Sequence, residues 1–218
     1  MEIREPELPR RLLLTERAAL MPLLRRTPEE LFSRRTACPD WNVRQVLAHC
    51  GAALARIVEG RLEQAVFSPE SNAADVAERD AWPLRKVLDE LDWGMAEAGV
   101  AIAAREDGLL DTVALGEWVH AGDVRDAFGE PGAYGGDSTD SAPTLIGVAS
   151  RRRGNPLVHA TLPGRDAALV LGVGGDGRPP AQLTADAATL VRLCTGRPLK
   201  SSLYELSGAR EEELYIYD

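Results

Sequence analysis

Two of the three histidines in this chain stand in segments that read as the inner faces of helices. His49 lies in Asn42-Val-Arg-Gln-Val-Leu-Ala-His49-Cys50, and His120 in Gly116-Glu-Trp-Val-His120-Ala-Gly-Asp123-Val-Arg125. An imidazole among apolar neighbours has to find a partner, since burying an unpaired polar group costs roughly a few kcal/mol. A divalent metal shared by two helices would satisfy both rings at once. Zinc and similar cations accept imidazole nitrogen and carboxylate oxygen, and a catalytic site keeps one position open. Glu117 lies three residues before His120, so both can face the same side of a helix. His49, Glu117 and His120 are therefore the candidate metal ligands. Asp123, three residues beyond His120, is a competing ligand or an acceptor that orients the imidazole. The plainer alternative makes both histidines hydrogen-bonded core residues, with Glu117 and Asp123 as solvent-facing partners of Arg125 or its neighbours.

Other chemistry-bearing residues form weaker patterns. Cys38, Cys50 and Cys194 are widely spaced and lack a CxxC pair, which fits neither a disulfide framework nor a thiolate zinc site. They read as small buried hydrophobes in a reducing cytoplasm. Cys50 follows His49 directly, and adjacent helical residues point in different directions, so it is not counted as a ligand. His159 reads as an ordinary strand residue. The glycines of Gly172-Val-Gly-Gly-Asp-Gly177 precede a strand-like run rather than open a helix, which suits a hairpin turn and not a dinucleotide fingerprint. No GxSxG elbow occurs. Arg151-Arg-Arg153 is too short for a nucleic-acid patch and suits the end of a helix.

The elements that must position these residues follow from apolar spacing. A first helix is expected over Arg11 to Arg34, interrupted by Pro28. A turn-rich connector, Thr36-Ala-Cys-Pro-Asp-Trp-Asn42, leads to a second helix over Val43 to Ala65, capped by Asp40 or Asn42. Ser68 to Asp80, polar and small, is expected to be a loop. A third helix spans Pro83 to Arg105, with apolar residues three or four apart, and a fourth spans Val113 to Phe128. Four amphipathic helices joined by loops point to an antiparallel bundle. From Gly129 to Ser138 turn formers dominate and mark a domain boundary. Beyond it come a helix over Ala142 to Arg152 and strands in Leu157 to Leu162, Asp166 to Val173 and Ala181 to Thr184. A last helix covers Ala185 to Thr195. The second half is a small α+β domain, giving domains 1–130 and 131–218.

Bulk properties set the outer bounds. A chain of 218 residues, 44% hydrophobic and 27% charged, can bury a real core. A formal net charge of −9 argues against a nucleic-acid binder, which needs a basic face to neutralise phosphates. The first residues, MEIREPELPRR, lack the apolar stretch of a signal peptide, and no run approaches the roughly 20 residues of a membrane span. The expectation is a cytoplasmic protein without membrane or nucleic-acid partners.

At the histidine segments the chain resembles a known family. Cys38-Pro-Asp-Trp-Asn-Val-Arg-Gln-Val-Leu-Ala-His49 is similar to the start of the second helix of mycothiol-dependent maleylpyruvate isomerase-like proteins, whose usual form is close to CPGWTVRDLLAHL. Glu117-Trp-Val-His120-Ala-Gly-Asp123-Val-Arg-Asp-Ala-Phe-Gly129 resembles their fourth-helix motif, a histidine followed three residues on by aspartate. Leu190-Val-Arg-Leu-Cys-Thr-Gly-Arg197 resembles the leucine-rich helix ending in Gly-Arg of their C-terminal domain. The resemblance implies a DinB-like four-helix bundle followed by an α+β domain related to sterol carriers. It further implies a divalent metal, zinc with nickel as the alternative, held by a histidine from the second helix and by a carboxylate and a histidine from the fourth. His49 and His120 match by position. The family's carboxylate stands four residues before the second histidine, where this chain has Gly116. Glu117 is one residue late, a rotation of about 100° around the helix. Either the helix adjusts, or Asp123 or water completes the shell, or the metal site is lost.

The chemistry implied by the resemblance is thiol chemistry. The metal would bind the sulfur of mycothiol and lower its pKa so that thiolate forms near neutrality. That thiolate would attack a small electrophile, giving isomerisation or S-transfer, with Arg197 and other basic residues of the second domain available for a substrate carboxylate. Two alternatives stand beside this reading: a non-catalytic binding protein on the same scaffold with a degenerate metal site, and a metal-dependent hydrolase unrelated to thiols.

Overall fold

The computed structural model describes residues 4–62, 67–136, 141–175, 177–199 and 204–217. The chain is mostly helical with a small mixed sheet, and it divides into two compact units, Met1–Ala133 and Tyr134–Asp218.

The first unit is helical: α1 (Glu7–Arg26), α2 (Val43–Val58), α3 (Pro69–Arg79), α4 (Leu84–Ala104) and α5 (Asp111–Phe128). Helix α4 packs on both α1 and α2, α5 packs on the same two helices, and α3 lies against α2. Leu13, Leu20, Leu24, Val46, Leu47, Leu54, Val87, Leu91, Met95 and Ile102 fill the space between them. Glycines let the backbones approach closely. A Cβ on Gly94 of α4 would come 2.6 Å from the Leu54 Cβ of α2, and one on Gly99 of α4 would come 2.9 Å from the Arg10 Cα of α1.

Helix boundaries follow local chemistry. Helix α1 ends at Arg26 because Thr27, which precedes Pro28, is extended (ψ 131°) as a residue before proline prefers. A short 3₁₀ turn over Glu29–Ser33 follows, and its Phe32 meets Phe128 edge-on at 5.5 Å between centroids. Asn42 is the cap of α2: its side chain accepts from the Gln45 amide while Gln45 returns a bond to the Asn42 amide. Helix α2 stops at Val58, short of Ala65, which lies outside the described residues.

The expected loop at Ser68 to Asp80 is instead helix α3. Ser68 caps it and Pro69 occupies its first turn. The face it buries is mostly polar, which erases the apolar periodicity that would have announced it. Asp75 pairs with Arg56 of α2 at 2.5 Å, and Arg79 donates to Glu90 of α4 at 2.8 Å.

In the second unit, α6 (Ser141–Arg153) precedes β1 (Val158–Thr161), β2 (Leu169–Leu171), β3 (Ala181–Thr184), α7 (Ala187–Cys194) and β4 (Glu205–Ser207). The sheet order is β2-β1-β3-β4, with β1 antiparallel to β2, parallel to β3, and β3 antiparallel to β4. The glycine-rich stretch from Gly172 is therefore no hairpin turn: β1 lies between β2 and β3, so this segment crosses over. Gly172 itself has φ +64°, and a Cβ there would stand 2.0 Å from the Pro156 carbonyl oxygen. Among the described residues no helix is long and apolar enough to cross a membrane.

Candidate functional site

The packing of α2 against α5 brings His49 and His120 together. Their rings meet edge to face with centroids 5.4 Å apart. Cys50 of α2 and Glu117 of α5 are buried beside this pair.

The connector before α2 supplies a third wall. The Thr36 amide and hydroxyl both donate to the Trp41 carbonyl, and the Trp41 amide donates to the Cys38 carbonyl. Closed in this way, and fixed at its end by the Asn42 cap, the loop lays the Trp41 indole beside His49 at 4.8 Å and His120 at 6.5 Å between centroids. Trp41 went unnoticed in the sequence. It sits outside any helical period, and only the loop closure shows where its ring goes.

Each polar group has its own electrostatic situation. Burial, helped by the neighbouring His120, pushes the His49 pKa down to about 3, so this ring is neutral at physiological pH. Its Nδ1 is buried and has no hydrogen-bond partner among the described residues. His120 Nδ1 lies 3.1 Å from Asp123 Oδ2, and Asp123 is fully buried. A carboxylate accepts, so the proton sits on Nδ1 and Nε2 is left as the basic nitrogen of that ring. Asp123 thus takes the orienting role rather than facing solvent. Burial pushes the Glu117 carboxyl up to about 8 against the opposing effect of the Cys50 thiol, and burial raises the Cys50 thiol well above its ordinary range.

Two imidazoles, one with an orphaned buried nitrogen and one held at Nδ1 by a carboxyl group, are a donor set that a divalent cation fits. Among the described residues no three His, Cys, Asp or Glu side chains gather as a metal-holding group. In the second unit, His159 lies in β1 opposite Val170 and Gln182, and Arg197 Nη1 donates to the Thr195 carbonyl at 2.8 Å.

Residues 13–128, which hold both histidines of the pair, match the family model of the mycothiol maleylpyruvate isomerase N-terminal domain. The chain belongs to this family. The fold extends the likeness over both units. A crystal structure of mycothiol-dependent maleylpyruvate isomerase aligns with a TM-score of 0.57 at 16% identity, covering 95% of each chain. That of a histidine-to-alanine mutant of a mycothiol-dependent maleylpyruvate isomerase aligns with a TM-score of 0.53 at 15% identity, covering 87% of this chain and 88% of the other. At such identities the likeness speaks for the fold alone. No curated protein matches the chain.

Proposed function

We propose that this family member is a mycothiol-dependent enzyme of the isomerase or S-transferase type, which brings a low-molecular-weight thiol to a small electrophile at the His49–His120 pair. The observation that carries the reading is that pair: two imidazoles from different helices in edge-to-face contact, one with a buried nitrogen that no group among the described residues satisfies. In this reading residues 1–130 are the DinB-like half and residues 131–218 a sterol-carrier-like α+β half. The three cysteines form no disulfide, which suits a reducing cytoplasm where a free thiol cosubstrate persists.

His49 and His120 would hold a divalent metal, zinc or nickel, and Glu117 would have to turn toward them to join as a carboxylate. When bound, such a cation supplies a Lewis acid that favours thiolate at neutral pH. The rest falls to this chain's own residues. Asp123 holds the His120 Nδ1 proton, so the ring cannot rotate its basic nitrogen away from the site. His49, kept neutral by burial, brings no positive charge and leaves its lone pair available. Trp41 covers the imidazoles and excludes water from one side.

A second reading, the non-catalytic binding scaffold, draws on the fact that among the described residues no third His, Cys, Asp or Glu gathers with the histidine pair to hold a metal. Two measurements separate them. Metal analysis of the purified protein should find a stoichiometric equivalent of zinc or nickel that is absent from His49→Ala and His120→Ala. Mycothiol conjugation of monobromobimane should be faster with the protein than without it, and should fall to the background rate in both variants. Metal-free protein of undiminished stability, with no thiol-dependent turnover after zinc loading, selects the scaffold.

A further inference from the structure

We propose that Trp41 is a binding residue for the thiol cosubstrate: its indole packs on the uncharged part of that molecule trailing from the sulfur, and so favours an extended glycosidic thiol over a small one. This rests on the reading of the histidine pair as the place where the thiol reacts, and goes beyond it by naming the side chain that holds the rest of the thiol.

Burial around the pair is lopsided. His49, Glu117 and Asp123 are 9%, 4% and 0% exposed, whereas the His120 side chain keeps 15% and Trp41 is half-buried. Among the described residues at the pair, these two rings are the ones that solvent reaches. A thiol whose sulfur reaches the imidazoles therefore leaves the rest of itself on their side. Trp41 borders that opening, with ring centroids 4.8 Å from His49 and 6.5 Å from His120. Its indole is held there before any ligand arrives. The Thr36 hydroxyl donates to the Trp41 carbonyl at 2.9 Å and accepts from the Cys38 amide at 3.1 Å, and the Val43 amide donates to the Arg34 carbonyl at 2.9 Å. A preformed surface of this kind spares the ordering cost that a mobile loop would impose on binding. The chemistry of the ring decides what it takes. An indole face is the negative side of a quadrupole, so it disfavours a carboxylate and accepts an uncharged C–H surface such as that of a sugar ring. Mycothiol is a glycosidic thiol whose trailing part is of that kind, which makes the thiol, and not an anionic electrophile, the occupant of this face.

Selectivity between two thiols tests this. With monobromobimane as the electrophile, Trp41→Ala should raise the KM for mycothiol about 10-fold, the scale of one lost aromatic partner. Its kcat should stay near that of the unaltered protein, as happens when binding common to ground and transition states is removed. N-acetylcysteine, which has nothing to lay on the indole, should react equally well with and without the substitution. Trp41→Phe, which keeps an aromatic face, should retain most of the preference for mycothiol. Binding is also read without turnover: mycothiol should change the tryptophan emission of the unaltered protein, and that change should vanish in Trp41→Phe. Circular dichroism melts establish that each variant is folded, and the phenylalanine variant keeps the test readable should alanine impair folding. An equal loss for both thiols, or a fall in kcat alone, would give Trp41 a structural role and overturn the proposal. An unchanged KM in Trp41→Ala overturns it too, as does an emission change undiminished in Trp41→Phe. If the unaltered protein shows no mycothiol-dependent turnover, the proposed function fails and takes this inference with it. Mycothiol-dependent turnover without the split between the two thiols sinks the inference alone.

Discussion

His120 and Asp123 are three residues apart on one helix, yet the single contact between them decides which nitrogen of the ring does chemistry. Asp123 is wholly buried and 3.1 Å from Nδ1, so its removal would be felt in the tautomer before it is felt anywhere else. In Asp123→Ala, heteronuclear imidazole NMR should show the His120 proton redistributed between Nδ1 and Nε2, whereas the native protein holds it on Nδ1. Zinc affinity in the same variant should fall about 10- to 100-fold. A His120 that keeps its Nδ1 proton without Asp123 would show that another group sets the tautomer. The histidines and the aspartate were legible in the sequence because their types and spacing are meaningful within one helix. The approach of the two rings to 5.4 Å was not, because it depends on how α5 is rotated about its own axis against α2. Sequence spacing leaves that angle free.

At the scale of elements, the site depends on how closely the helices approach. Helix α4 packs against α1 and α2 through positions where even one methyl does not fit. Gly99→Ala should therefore cost about 1–3 kcal/mol through overpacking, more than any gain in helix propensity of about 1 kcal/mol returns. Its added Cβ meets Arg10 backbone at 2.9 Å, which a rotamer change cannot relieve. Urea unfolding followed by circular dichroism reads the difference, and a variant as stable as the parent would mean that α1 shifts freely. The same scale explains what was misjudged. The four long helices announced themselves through apolar residues three or four apart. Helix α3 did not, because Asp75 and Arg79 are buried by pairing with Arg56 and Glu90 rather than by being apolar. The crossover after β2 was hidden for a related reason, since strand order is a matter of long-range pairing and the intervening turn looks much the same either way.

At the scale of the whole molecule, two of the three cysteines are buried in separate units and report on them. Cys50 belongs to the first unit and Cys194 to the second; burial raises the Cys50 thiol well above its ordinary range and pushes Cys194 up to about 12. Cys38 is only half-buried. In native protein a thiol reagent should therefore label Cys38 promptly, with Cys50 and Cys194 reacting at rates set by the opening of their own units. Mass spectrometry across a denaturant series checks this, and prompt native labelling of Cys194 would contradict the burial that raises its pKa. Composition and periodicity by themselves determined that the chain is mostly helical at first and mixed later, that it can bury a core, and that His49 and His120 sit on inward faces. These are properties of local sequence, set by which side chains avoid water over one or two turns. Only the tertiary structure decided that the two rings meet and that Trp41 lies beside them. Such contacts join residues dozens of positions apart, and their geometry comes from the packing of whole helices rather than from any segment read alone.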